Sequence, residues 1–244
     1  MLAGDPVEAA EQAHEFLKGA SLQDYCDMIL LEGLRLADAD RRLGHLDEER
    51  LDRVVSTVDE LVAQLEANDL EVTDLPPPDL SSSPGATIAI EQASAQHRAI
   101  EEKAGPPRSV LCIPGSGKLD TAAALILAYL LRHRDIGALA EETDALSTSK
   151  IFSLDMTDTS LACVCYVGQP SITKVQDAVR RLRKKNADTR ILLVFLGAEA
   201  MPSTRTVGAT VAGGSFGIAL ESIIQATSVQ HGDAAVTTKE AITI

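Results

Sequence analysis

Between Arg108 and Ile136 the sequence reads RSVLCIPGSGKLDTAAALILAYLLRHRDI, and this stretch constrains the fold more than any other. Four apolar residues, Val110 to Ile113, stop abruptly at Pro114-Gly115-Ser116-Gly117. From Asp120 onward, Ala123, Ile126, Leu127 and Leu130 recur at helical spacing. A buried strand, a tight turn and a helix make the first unit of an α/β domain. Two further apolar runs, Leu161 to Val167 (LACVCYV) and Ile191 to Leu196 (ILLVFL), read as strands buried on both faces. Gly137 to Glu142 and Ala209 to Ala212 are short enough to complete a set of five strands. Between them the pattern predicts a short helix over Ser147 to Leu154 and a helix capped by Ser171 that ends near Asn186. A last helix is predicted from Ser215 to about Ala226. Strands alternating with helices imply a five-stranded, parallel, doubly wound α/β domain over residues 108–228, with a patternless tail at 229–244.

The first part of the chain has a different character. Residues 1–107 hold 8 Lys and Arg against 23 Asp and Glu, whereas residues 108–244 hold 14 against 13. Asp5-Pro6-Val7-Glu8 starts one helix, Ser21 with Asp24 starts a second, and Asp47-Glu48-Glu49 starts a third. In the third, Leu51, Val54, Val55, Val58, Leu61, Val62 and Leu65 form one apolar stripe. Residues 5–68 are therefore expected to pack as a helical bundle. Residues 69–107 read as a linker, rich in proline and serine over 70–87, with a candidate fourth helix from Ile90 to Lys103. On this reading the two halves are separate units joined by a flexible segment. The acidic half argues against a nucleic-acid partner. No apolar run reaches the ~20 residues needed to cross a bilayer. The four cysteines, with no secretory signal before them, suit a reducing cytoplasm rather than a disulfide framework.

Chemistry is harder to find. Gly115-Ser116-Gly117-Lys118 resembles part of a phosphate loop, but Cys112 and Leu119 stand where that loop needs Gly and Ser or Thr. A plain turn whose amides face the start of a helix is the simpler account. Cys163 and Cys165 fall on one side of a strand without the companions a zinc site requires. His14, His45, His97, His133 and His231 belong to no recognisable triad or metal set. Arg180, Arg181, Arg183, Lys184 and Lys185 form either a solvated helix end or a docking surface for an acidic partner, including an anionic membrane surface. Gly213-Gly214-Ser215 makes either a tight turn or a phosphate cradle. The expectation is a non-enzymatic chain with no cofactor and no metal. Its candidate ligand-binding residues are Gly115, Ser116, Gly117, Asp120, Gly197, Gly213 and Gly214.

In architecture, residues 5–226 resemble the cobalamin-binding modules of methionine synthase and of light- or cobalamin-sensing regulators. That family carries Asp-x-His-x-x-Gly after its first strand. Aligned on LILAYLLRHRDI, the motif falls on Lys118-x-Asp120-x-x-Ala123, and the family's Gly-Gly falls on Gly197-Ala198. Asp120 replaces the cobalt-ligating histidine, so the resemblance implies the fold without the lower cobalt ligand. The segment LAGDPVEAAEQAHEFLKGASLQDYCDMILLEGLRLADADRRLGHLDEERLDRVVSTVDELV, with VLCIPGSGKLDTAAALILAYLL, is similar to the soluble extension of some autoinducer-2 exporter-type permeases. That resemblance implies a non-catalytic regulatory or assembly domain, cytoplasmic at the inner face of the membrane. Its partner would be the permease portion of the same protein, or another copy of itself. Met1 would then begin an excised piece. The alternative is a degenerate cobalamin-module-like sensor holding a small molecule above Gly115, Gly197 and Gly213.

Overall fold

The computed structural model describes residues 6–73, 110–197 and 207–237. Five parallel strands form the centre: Val110–Pro114 (β1), Ala138–Ala140 (β2), Leu161–Tyr166 (β3), Arg190–Phe195 (β4) and Thr210–Gly213 (β5). Their order across the sheet is β2-β1-β3-β4-β5. The chain leaves β1 in one direction for β2 and returns past it to β3, so the topological switch lies between β1 and β3. In a doubly wound sheet the crevice outside the carboxyl ends of those two strands is the place for a ligand.

Strand residues alternate strictly between two cores. Cys112, Cys163, Cys165 and Val194 point to one face, while Ile113, Val164, Tyr166 and Phe195 point to the other. Every residue of β3 is buried, which explains why its sequence is continuously apolar rather than alternating. The four cysteines are buried free thiols. Burial pushes the Cys112 thiol up to about 12, so these groups act as small apolar fillers.

The helix after β1 is Lys118–Arg132 (α5). Twelve of its fifteen residues are buried, so it must be covered on both sides. The sheet covers one side, and a layer of N-terminal helices covers the other through its third and fourth members. The layer consists of Pro6–Leu17 (α1), Leu22–Tyr25 (α2), Leu31–Arg42 (α3) and Glu48–Thr73 (α4). The stripe predicted on α4 is the covering surface: Leu51, Val58, Leu61 and Leu65 share one apolar core with Ala122, Ile126 and Leu130 of α5 and with Cys163 of β3. The helices thus form a third layer on the α/β part and share its apolar core. Ile172–Lys185 (α6) packs on the opposite face, and Phe216–Thr237 (α7) lies beside α5.

Several boundaries differ from the sequence expectation. Helix α4 runs to Thr73, past residue 68, because no Gly or Pro interrupts the chain before Pro76. Residues 147–153 form turns and not a helix, with Ser147 and Ser153 side chains bonding to nearby groups instead. Helix α7 continues to Thr237, so part of the segment expected as a tail is helical; no proline stands in its way. The candidate helix Ile90 to Lys103 and most of the predicted linker lie outside the described residues.

Between α2 and α3 the helix opens into one π turn, Cys26–Leu30. Such turns re-aim a side chain without ending the rod. Here Asp27 is aimed at the start of α7. Its two carboxylate oxygens accept the amides of Phe216 (2.6 Å) and Gly217 (3.1 Å), across a wide gap in sequence. A carboxylate at the positive end of a helix is doubly favourable, by hydrogen bonding and by the dipole. A side chain at 217 would meet Gln23 Nε2 at 2.5 Å and the capping Asp27 Oδ2 at 3.0 Å, so it would displace the Gln23 side chain. Asp27→Ala should cost about 1–2 kcal/mol of unfolding free energy in urea melts. A change below ~0.3 kcal/mol would show that water replaces the cap without loss.

Candidate functional site

At the β1/β3 switch a cleft of about 470 Å³ opens between the sheet and the N-terminal layer. Ser116, Gly117, Lys118 and Asp120 come from the turn after β1, and Tyr166 and Gly168 from the end of β3. Lys174 comes from α6, while Asp38 and Arg41 come from α3. The helical layer is therefore part of the wall.

Asp120 occupies the centre of the first turn. One carboxylate oxygen accepts the amides of Ser116 (2.9 Å) and Gly117 (3.1 Å), with the Ser116 hydroxyl at 3.3 Å. The other accepts the Val167 amide at 2.8 Å. The residue that occupies the expected ligand position thus caps α5 and ties the β1 turn to the end of β3. Those amides would be the anion-binding donors of a phosphate loop, and the chain's own carboxylate already takes them. Burial pushes the Asp120 carboxyl up to about 6 from 3.8, while the Val167, Ser116 and Gly117 amides pull it down. Because the folded value exceeds the unfolded one, the stability tied to this group is complete below about 3.8 and is lost as pH rises through about 6. Asp120→Asn removes that titration. The stability of wild type relative to this variant should fall by roughly 3 kcal/mol between pH 4 and pH 7. A difference that stays flat over the range would contradict the assignment.

Lys118 does not point towards an incoming phosphate. Its Nζ lies 2.5 Å from Asp52 and 3.0 Å from Glu48, both on α4. These hydrogen bonds, Asp52 first, raise its pKa and keep it charged. The lysine serves as a tie to the helical layer.

Gly115 lies under the ring of Tyr166, where a Cβ would sit 2.0 Å from Cε1. That ring stacks on Phe195, with centroids 5.2 Å apart. Tyr166 is only 2% exposed, and its hydroxyl has no hydrogen-bond partner among the described residues. Burial and then the Asp120 charge push the phenol's pKa up, so it stands as a neutral donor. Asp38 is equally buried at 2%. Its Oδ1 accepts Arg41 Nη2 at 2.6 Å, whereas Oδ2 has an ion-pair contact with Arg42 at 2.8 Å but no well-directed hydrogen bond. Two buried polar atoms on one cleft wall are underused.

The remaining predicted glycines gather elsewhere along the carboxyl edge. Gly197 abuts the Val167 carbonyl, where a Cβ would stand 2.7 Å away. Gly214 adopts φ 97°, a left-handed conformation suited to glycine, and its carbonyl accepts Arg35 Nη2 at 2.5 Å. Arg35 Nε also donates to the Leu196 carbonyl at 2.8 Å. With Asp27 on the α7 amides, the Gly213-Gly214-Ser215 turn is already engaged by the helical layer. Gly197, Gly213 and Gly214 do not line the 470 Å³ cleft, whereas Ser116, Gly117 and Asp120 do; Gly115 lines a smaller hollow of about 220 Å³ beside it.

The basic cluster lies on the opposite face of the sheet from the acidic helices. Arg180 pairs with Asp177 at 2.7 Å. Arg181 donates to the Leu146 carbonyl, Arg183 to Gly208 and Lys185 to Phe152. Those bonds hold the loops before β3 and β5. The clustering of Asp38, Tyr166 and Lys174 escaped sequence reading, since it joins three separate elements; the one local sign was an aromatic residue two positions before Gly168 at a strand end.

No protein-family model matches the chain, and no curated protein matches it. The class that the structure defines is architectural: an all-parallel, doubly wound α/β domain with a helical layer that walls its switch-point cleft. Among the described residues no group of His, Cys, Asp and Glu is arranged to hold a metal ion, and no helix is long and apolar enough to cross a membrane.

Proposed function

We propose that this domain is a sensor, binding a small polar molecule in the switch-point cleft without converting it. The observation that carries the reading is Tyr166, a residue of the cleft wall whose hydroxyl is buried without a partner among the described residues. An unmatched buried hydroxyl costs about 1–3 kcal/mol, and a ligand acceptor would offset that cost. Lys174, which has no ion pair among the described residues, supplies a charge at the mouth. Ser116 and Asp120 touch, but that carboxylate oxygen already accepts two amides, so the pair suits a cap better than a nucleophile and base. Asp38 and Arg41 belong to the helical layer, so occupancy of the cleft is felt there, and a signal has a route out of the site.

Tyr166→Phe separates the two roles of the hydroxyl. Without ligand the variant should be as stable as wild type or up to ~1 kcal/mol more stable, because the unmatched polar atom is gone. Screened by thermal shift against a panel of polar metabolites, wild type should be stabilised by at least one compound, and Tyr166→Phe and Lys174→Ala should weaken that response. A panel that leaves wild type unmoved, or a response indifferent to both substitutions, would overturn the reading.

The setting we propose for this sensor is the cytoplasmic side of a membrane permease, as a regulatory or assembly domain. The similarity to autoinducer-2 exporter-type extensions in residues 2–62 and 110–131 supports it. Membrane-spanning segments encoded in frame upstream of Met1 are the expected finding. An in-frame stop codon immediately upstream would remove that setting and leave the sensor reading intact.

A further inference from the structure

We infer that the carboxyl end of α6, together with the loop carrying Phe152, forms a docking face for an anionic lipid surface. The inference depends neither on the cleft nor on the permease setting. Helix α6 holds six cations, Lys174, Arg180, Arg181, Arg183, Lys184 and Lys185, against one acid, Asp177. Asp177 pairs with Arg180. Arg181, Arg183 and Lys185 donate to the neutral carbonyls of Leu146, Gly208 and Phe152, which orients them without cancelling their charge. Arg183, Lys184 and Lys185 are exposed, and no carboxylate pairs with them among the described residues.

Beside these cations stands Phe152, 78% exposed, the most exposed of the large apolar side chains described. Lys185 Nζ lies 2.7 Å from its carbonyl, so the aromatic ring and the charge belong to one surface. A lone exposed aromatic flanked by lysine and arginine suits the boundary between headgroups and acyl chains, where the ring enters and the cations remain with the phosphates. Asp155, Asp158 and Asp188 occupy neighbouring loops and temper the attraction, which makes it dependent on low salt and on anionic lipid.

The fold also sets the orientation. The helical layer, whose described residues 6–73 carry 6 Lys and Arg against 17 Asp and Glu, covers the α5 face of the sheet, and α6 covers the other. An anionic surface would attract the α6 face and repel the opposite one, so a single orientation is favoured.

The experiment is co-sedimentation of the 244-residue chain with vesicles of phosphatidylcholine alone or with about one-third phosphatidylglycerol, at low and high NaCl. Binding is expected only with anionic vesicles at low salt. The double variant Arg183→Glu/Lys184→Glu should weaken it by roughly tenfold or more. Phe152→Ser should weaken it several-fold while leaving the melting temperature unchanged, since that ring is exposed. Arg183→Lys should retain it. No binding at low salt, equal binding to neutral vesicles, or insensitivity to either the charge reversal or Phe152→Ser would overturn the proposal. Salt-sensitive self-association that the double variant abolishes, without vesicle binding, would assign the face to the acidic layer of a second copy instead.

Discussion

Replacing Leu61 by alanine should lower the unfolding free energy by about 2–5 kcal/mol in equilibrium urea melts. Leu61 is 1% exposed, at the centre of the stripe with which α4 covers α5. Its truncation removes packing on one side and leaves a void between two rods that cannot close independently, because α5 is also seated on the sheet. The position of the loss matters as much as its size. If the helical layer and the sheet share one core, circular dichroism of the helices and a probe on the sheet should report the same lowered midpoint. A cost under ~0.5 kcal/mol would mean that the stripe is not the contact surface. Separate midpoints would mean that the helices unfold by themselves.

Gly115→Ala is the second large effect, expected at about 3 kcal/mol. The added methyl would fall within 2.6 Å of three ring atoms of Tyr166, and that ring is stacked on Phe195. Both rings belong to one buried core with Val164, Val175 and Leu193, which a displaced ring would disturb. Gly117→Ala is the matched control: nothing lies within 4 Å of its Cβ position, so it should change stability by less than ~0.5 kcal/mol. Equal effects at the two positions would show that the turn conformation, and not the Tyr166 contact, requires glycine at 115.

The contrast between these glycines shows how far the sequence could be read. Apolar runs announced β1, β3 and β4 because a strand buried on both faces has no alternative pattern to show. Helix α5 also disclosed its environment, since LDTAAALILAYLL leaves no polar face for solvent. The parallel, doubly wound sheet followed from those elements and their spacing. Side-chain assignments were less legible because they depend on partners far along the chain. Asp120 was singled out as a ligand position, yet its place three residues after Gly117 is also that of a cap, and the Val167 contact that completes its role comes from another strand. Asp27 and Arg35 carry no local signal of their roles. Their partners, Phe216, Gly217, Leu196 and Gly214, become visible only once the helical layer is laid across the carboxyl edge. Tyr166 read as one more apolar strand residue, since nothing local reveals that a buried hydroxyl lacks a partner.

The burial of α5 between two layers has a consequence for how the protein is made. The ribosome releases α1 to α4 first, and the surface that will receive Leu51, Val58, Leu61 and Leu65 does not yet exist. At ~5–20 residues per second, several seconds separate the emergence of Leu65 from that of Arg132. During that interval the apolar stripe of α4 has no partner surface. The excess of acids around the stripe is then what keeps waiting copies apart, by mutual repulsion.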